Sequence, residues 1–249
     1  MVIFAAMNLV IDLGNTSAKL TLFKDKELVE VLSSNSDLTL KWIHEVVKTI
    51  KNIESCILCS VVDHPIEVED YLEQTFKMMK FDQQTKVPIE NDYETIETLG
   101  LDRLAAAIGA NSIFPNQNIL VIDFGTCIKY DIVSNNTYNG GSIAPGMRMR
   151  FNALNQFTDK LPLVEPSENL VVTGKTTTES ILSGVQFGIA SEVTGIIEHY
   201  HEQFNDLKVV FSGGDAHFFE NVLKKDIFAA PNLISRGLNE VLQYNAPSK

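Results

Sequence analysis

The sequence predicts an α/β protein made of two copies of one strand-and-helix layout. In each half, three short apolar runs separated by turn residues are followed by segments of helical periodicity. The string Asp12-Leu13-Gly14-Asn15-Thr16 returns as Asp123-Phe124-Gly125-Thr126-Cys127, each time at the end of a first strand, which marks an internal repeat. Between the halves, Pro115-Asn116-Gln117-Asn118 has turn residues and no strong period, so the expected division is 1–116 and 117–249.

The elements follow in order. Apolar runs at 8–13, 18–23 and 28–32 read as successive antiparallel strands, with turns at Gly14-Asn15 and Lys24-Asp25-Lys26. A helix is expected at 38–50, a strand at 55–62, and helices at 65–76 and 102–114. The second half restarts with strands at 119–123, 128–133 and 137–144, Asn135-Asn136 forming the middle turn. Helices at 146–157 and 178–203, a strand at 208–212 and helices at 215–224 and 235–243 complete it. The helix at 178–203 carries Gly184, Gly188, Ser191 and Gly195 at helical spacing. Each interior glycine costs about 0.8–1.0 kcal/mol relative to alanine, so another helix is expected to approach closely there, within the domain or across a dimer interface.

Composition narrows the function classes. The 249 residues include 20 Lys+Arg against 32 Asp+Glu, a net charge of −12, and the pI is near 4.8. Such a surface repels polyanions, so nucleic acid and anionic membranes are not expected partners, and any phosphate site must be local. The apolar start, Met1 to Ile11, is broken by Asn8, lacks a basic leader and is shorter than the roughly 20 residues that cross a bilayer. A cytoplasmic protein is expected, with residues 1–6 an upstream start or an extension. Three cysteines fit a reducing compartment. Cys56 and Cys59 lie on one apolar strand with side chains three apart, which point to opposite faces, so a buried structural role is expected and not a metal or redox pair.

The chemistry is concentrated at the repeated turns. In each, a carboxylate ends a strand, and a glycine lets the backbone present N–H groups to anionic oxygens. Asn15, Thr16 and Thr126 add polar donors and Lys19 a compact positive charge. Two such turns facing each other would clamp a polyphosphate, with Asp12 or Asp123 holding a cation that neutralises transferring phosphate. Gly174-Lys175-Thr176 imitates the end of a phosphate-binding loop. Asn169 stands where that motif needs glycine and Leu170-Val171-Val172 is too bulky to wrap phosphate, so the motif is rejected. Gly213-Gly214-Asp215, opening a helix after a strand, suits a nucleotide or a helix cap equally. His199 and His201, near the end of the long helix, are read as partners of its dipole and not as metal ligands.

Taken together these residues resemble type III pantothenate kinases. The resemblance runs from Met7 through Asp12 to Lys19, Gly100-Leu101-Asp102-Arg103, Asp123 to Thr126 with Asp131, Gly140-Gly141 to Pro145-Gly146, Thr158 to Pro162, Thr177 to Gly184, and Gly213-Gly214. It implies a duplicated ribonuclease H-like, actin-like ATPase fold: two mixed-sheet domains with an ATP cleft between them. It also implies phosphorylation of pantothenate by ATP to 4′-phosphopantothenate, the first step of coenzyme A synthesis. The expected form is a homodimer using Mg2+ and a monovalent cation, K+ or NH4+. Carried over by position, Asp12, Gly14, Asn15, Thr16, Lys19 and Thr126 would bind ATP, and Asp123 the monovalent cation. Tyr93, Gly100, Leu101, Asp102, Arg103 and Thr177 would hold pantothenate, with Asp102 accepting the proton of the attacking hydroxyl. One departure stands out: where such kinases commonly carry Ala and Thr, this chain has Cys127 and Lys129. Lys129 could supply a fixed positive charge there.

Residue by residue, plainer roles compete. Asp102 precedes a helical run and reads equally as an N-cap, although a carboxylate suffices as base because the attacking hydroxyl becomes acidic late in phosphoryl transfer. Arg103 could pair bidentately with a substrate carboxylate or form a surface ion pair contributing about 0–1 kcal/mol. A kinase for another small hydroxyl acceptor would use the same two turns. A regulatory binding protein, such as a transcription accessory factor, is the reading from a different class.

Overall fold

A computed structural model describes residues 6–35, 40–223 and 226–246. The chain forms two compact units: one comprises the residues up to Ile113 together with those from Leu233 onward, the other Phe114–Asn232.

The first unit is built on strands β1 (Met7–Leu13), β2 (Ser17–Lys24) and β3 (Glu27–Asn35), helix α1 (Leu40–Thr49), strand β4 (Ile53–Ser60), helix α2 (Ile66–Thr75) and strand β5 (Lys77–Lys80). A two-residue strand β6 (Glu90–Asn91) and helix α3 (Leu101–Ile113) follow. Its sheet runs β3-β2-β1-β4-β5. Strands β1 to β3 are antiparallel neighbours, while β4 is parallel to β1 and β5 to β4. The central strand β1 is a near-continuous apolar run because both its faces are covered: Leu9, Val10, Ile11 and Leu13 are fully buried. Asp25 takes a left-handed φ of 53° in the β2–β3 turn, a conformation that short polar side chains tolerate.

The second unit repeats the order. It contains β7 (Ile119–Phe124), β8 (Cys127–Ser134), β9 (Thr137–Pro145), α4 (Met147–Gln156), α5 (Thr177–Leu182), a π-helical turn at Ser183–Phe187, α6 (Gly188–Gln203), β10 (Lys208–Ser212), α7 (Ala216–Leu223) and β11 (Ile227–Ala229). Its strands run β9-β8-β7-β10-β11, antiparallel from β7 to β9 and parallel from β7 through β10 to β11. Asn135 and Asn136 both adopt positive φ, 50° and 62°, as a two-residue hairpin turn between right-twisted strands requires.

Four features depart from the sequence expectations. The helix at 178–203 is interrupted by the π turn, where the buried Gln186 amide clamps the backbone of Ser167 with bonds of 3.1 and 2.8 Å. Among the described residues, a Cβ added at Gly184, Gly188 or Gly195 would meet nothing within 4 Å beyond its own helix backbone and chain neighbours, so of the two packing partners expected for that face, the one within the domain is not seen. Strands β5 and β11 are too short to register as a period. Finally, the last helix, α8 (Leu233–Tyr244), belongs with the first unit, whereas the expected division left it in the second.

The placement of α8 has clear physical causes. A Cβ at Gly237 would lie 1.8 Å from the Ala105 carbonyl oxygen, and one at Gly109 would lie 2.3 Å from that of Leu233. Facing glycines thus let α3 and α8 touch backbone to backbone. Three polar side chains tie α8 to the sheet: Thr21 donates to Ser235 Oγ at 3.0 Å, Asn8 to Asn239 Oδ1 at 2.9 Å, and Asn239 to the Asp25 carbonyl at 2.8 Å. The predicted helix residues 38, 39 and 224 lie outside the described residues.

Candidate active site

The first glycine turn joins β1 to β2. Asp12 is 9% exposed and stands opposite Lys19 in the antiparallel ladder, which puts both side chains on one face of the sheet. The Gly14 amide donates to the Ser17 carbonyl at 3.0 Å, closing the turn, while Asn15 and Thr16 project into solvent.

The second turn has the same design. Asp123 stands opposite Lys129, the Gly125 amide donates to the Cys127 carbonyl at 3.1 Å, and Thr126 is exposed. Here the carboxylate is engaged: Lys129 Nζ donates to Asp123 Oδ2 at 2.8 Å. Two further loops brace this turn. The Gly146 amide donates to the Thr126 carbonyl at 3.1 Å, and a Cβ at Gly146 would lie 2.4 Å from the carbonyl oxygens of both Gly125 and Thr126. Gly213, at φ 93°, brings the β10–α7 loop against Phe124, whose carbonyl accepts the Asp215 amide at 3.2 Å. Burial pushes the Asp215 carboxyl above the ordinary aspartate range, an effect that nearby Arg148 opposes.

The expected acceptor-binding residues before residue 104 gather in the first unit. Helix α3 begins at Leu101, so Asp102 lies inside the first turn and is not the N-cap; the Gly100 carbonyl accepts the amides of Arg103 and Leu104. A Cβ at Gly100 would approach Asp102 Oδ1 to 2.7 Å, so glycine leaves room for that carboxylate. Arg103 is 4% exposed, which overturns the surface ion-pair reading, and its guanidinium carbon lies 5.6 Å from the centroid of the Tyr93 ring, within cation–π range. Tyr93 is fixed in turn by its amide, which donates to Asn91 Oδ1 at 3.0 Å.

Cys59 pairs with Asp12 in the parallel register of β1 and β4. Its thiol is pushed well up, chiefly by burial and then by the negative charges of Asp12 and Asp102. Cys56 faces the other way, into the apolar core, and burial raises its thiol to about 12. The two thiols diverge, as their spacing on a strand dictates.

Thr177 belongs to the second unit, exposed at the first turn of α5. The preceding Gly174-Lys175-Thr176 is helix-capping structure: Thr176 Oγ1 accepts the Glu179 amide, and Glu179 reaches back to the Thr176 amide. The described residues 157–176 hold no strand, so nothing there resembles a phosphate-binding loop. Sequence reasoning missed a polar cluster behind the second turn, in which Arg150 holds Glu192 at 2.8 Å and the Tyr130 hydroxyl donates to Glu192 at 2.6 Å. These residues lie on three elements and have no local motif.

Two mixed sheets in which five strands share one order, each with a carboxylate and a glycine turn after its first strand, define an actin-like ATPase fold. Component A of the (R)-2-hydroxyglutaryl-CoA dehydratase of Acidaminococcus fermentans matches it with a TM-score of 0.52 and 16% identity, over 96% of this chain and 97% of that one. A Campylobacter jejuni protein described as a Baf family transcriptional activator matches with a TM-score of 0.62 and 21% identity, over 95% and 98%; at these identities the likeness is one of fold. Sequence narrows the class. The family model for type III pantothenate kinase matches residues 8–199, and the type III pantothenate kinase of Phocaeicola vulgatus is 41% identical over 96% of this chain and 99% of its own. That of Christiangramia forsetii is 38% identical over 96% and 99%. The chain belongs to the type III pantothenate kinase family.

Proposed function

We propose that the chain transfers the γ-phosphoryl group of ATP to the hydroxyl of pantothenate, giving 4′-phosphopantothenate at the entry to coenzyme A synthesis, as a cytoplasmic enzyme. The observation that carries the reading is the gathering of Asp12, Asp102, Arg103 and Tyr93 in the first unit, with the buried Arg103 guanidinium over the Tyr93 ring. In this mechanism the Arg103 fork pairs with the carboxylate of the acceptor. Asp102 takes the proton of the attacking hydroxyl as the bond to phosphorus forms and ADP leaves. Lys19 and the polar groups of Asn15 and Thr16 at the first glycine turn contact the phosphates.

Asp12, nearly buried at the turn, suits a hard divalent cation. Mg2+ keeps waters and substrate phosphate oxygens in its shell, so a single protein carboxylate suffices to place it. When bound it neutralises charge on the transferring phosphoryl group. A homodimer accompanies this reading: the open glycine face at Gly184, Gly188 and Gly195 leaves room for a partner helix.

Coupled measurement of ADP release tests the proposal. Release is expected with pantothenate and not with other hydroxy acids or sugars. Asp12→Asn keeps shape and hydrogen bonding but removes the charge, so it is expected to bind ATP within about tenfold of wild type, a difference of roughly 1.4 kcal/mol, while losing nearly all turnover. A wild-type chain that releases no ADP with pantothenate and Mg2+ present refutes the kinase reading.

A further inference from the structure

The duplication sets a lysine opposite the turn carboxylate in both units, Lys19 facing Asp12 and Lys129 facing Asp123. In the second unit the pair is closed. Lys129 Nζ lies 2.8 Å from Asp123 Oδ2, with side-chain exposures of 16% and 8%. A carboxylate so far out of water needs a counter-charge. An alkylammonium ion supplies the same single charge as K+ and three of the four N–H donors of NH4+. Being part of the chain, it is present at fixed local concentration and loses no translational freedom on docking.

The residues present therefore do not fit a bound monovalent cation at Asp123. An ion placed on this carboxylate would sit within a few ångströms of the ammonium, and like charges at that range in a poorly solvated site repel strongly. We propose that Lys129 is a built-in monovalent cation: its ammonium fills the place that the family resemblance gives to K+ or NH4+, and ATP binding at the second turn needs no added ion. The proposal rests on the kinase reading only for the identity of the ligand at that turn.

The test is calorimetric titration of the full chain with MgATP, without pantothenate, in K+- and NH4+-free buffer and then with KCl, tetramethylammonium chloride keeping ionic strength constant. Wild-type affinity is expected to change by less than about twofold with KCl. Lys129→Thr, which removes the ammonium and leaves a short polar side chain, is expected to bind ATP at least about tenfold more weakly without K+ and to recover when K+ is added. Melting of the ligand-free protein against KCl gives a second readout, flat for wild type and rising for the variant. A saturable, tenfold-scale K+ response of the wild type overturns the proposal, as does a folded Lys129→Thr that binds ATP at wild-type strength regardless of K+. Should the variant not fold, the wild-type titration decides alone. Because no arm requires turnover, a K+-blind ATP binder that fails to phosphorylate pantothenate refutes the kinase reading and leaves the built-in cation standing.

Discussion

Asp102 sits one residue into α3, where its charge also interacts favourably with the helix dipole, a contribution of about 0.3–1 kcal/mol. Asp102→Asn therefore separates chemistry from folding. Turnover is expected to fall about 100-fold or more while the melting temperature drops only slightly; steady-state kinetics beside a thermal melt checks both, and unchanged turnover removes Asp102 from the proton transfer. Asp215 offers a test by pH. Its folded value is raised by burial, so the folded state favours the protonated form. That stabilisation is complete below the unfolded value and vanishes as pH rises through the folded one. The ionised group is then a cost at neutral pH, so Asp215→Asn is expected to melt higher than wild type at pH 7, with the gap closing in acid near the unfolded value of about 3.8. Sequence reading reached the turn residues because Asp-x-Gly is a local string. It could not see that Arg103 is buried or that Cys59 pairs with Asp12 across the β1–β4 ladder, since both facts depend on residues distant in the chain.

At the scale of elements, two glycines set how closely backbones meet. Gly237→Ala drives a methyl into the Ala105 carbonyl and forces α3 away from α8, at a cost of about 1–3 kcal/mol or more. Melting is expected to fall several degrees, at roughly 2–4 °C per kcal/mol for a chain of this size. Because α3 carries Asp102 and Arg103 at its head, the KM for pantothenate is expected to rise as well. Gly146→Ala pushes instead on the carbonyls of Gly125 and Thr126, so its effect is expected mainly on the KM for ATP. An ATP KM unchanged in a folded Gly146→Ala shows that α4 does not brace the second turn. Most elements were legible because apolar alternation and helical period survive in isolation. The π turn was not, since the partner of its buried Gln186 is Ser167, nineteen positions away along the chain.

On the scale of the whole molecule, the repeat was legible from one recurring string and the strand order around it, because both units solve the same packing problem. The destination of α8 was not. Its amphipathic pattern states that one face is buried, as Leu238, Val241 and Leu242 are, but not by which unit; the facing glycines and the ties from Thr21 and Asn8 decide that. The consequence concerns the order in which the protein is made. Chains leave the ribosome N-terminus first, and domains generally fold as they emerge. Here the second unit, an uninterrupted stretch of chain, can close while the first still waits with the flank of α3 bare, so the half synthesised first is finished last. A chain ending at Asn232 is expected to retain protease resistance over residues 114–232 and to lose it over the first 113, and supplying the missing segment as a separate peptide should restore protection there. Equal resistance of both units in the shortened chain would mean that the closing helix is dispensable, and birth order would then impose no delay.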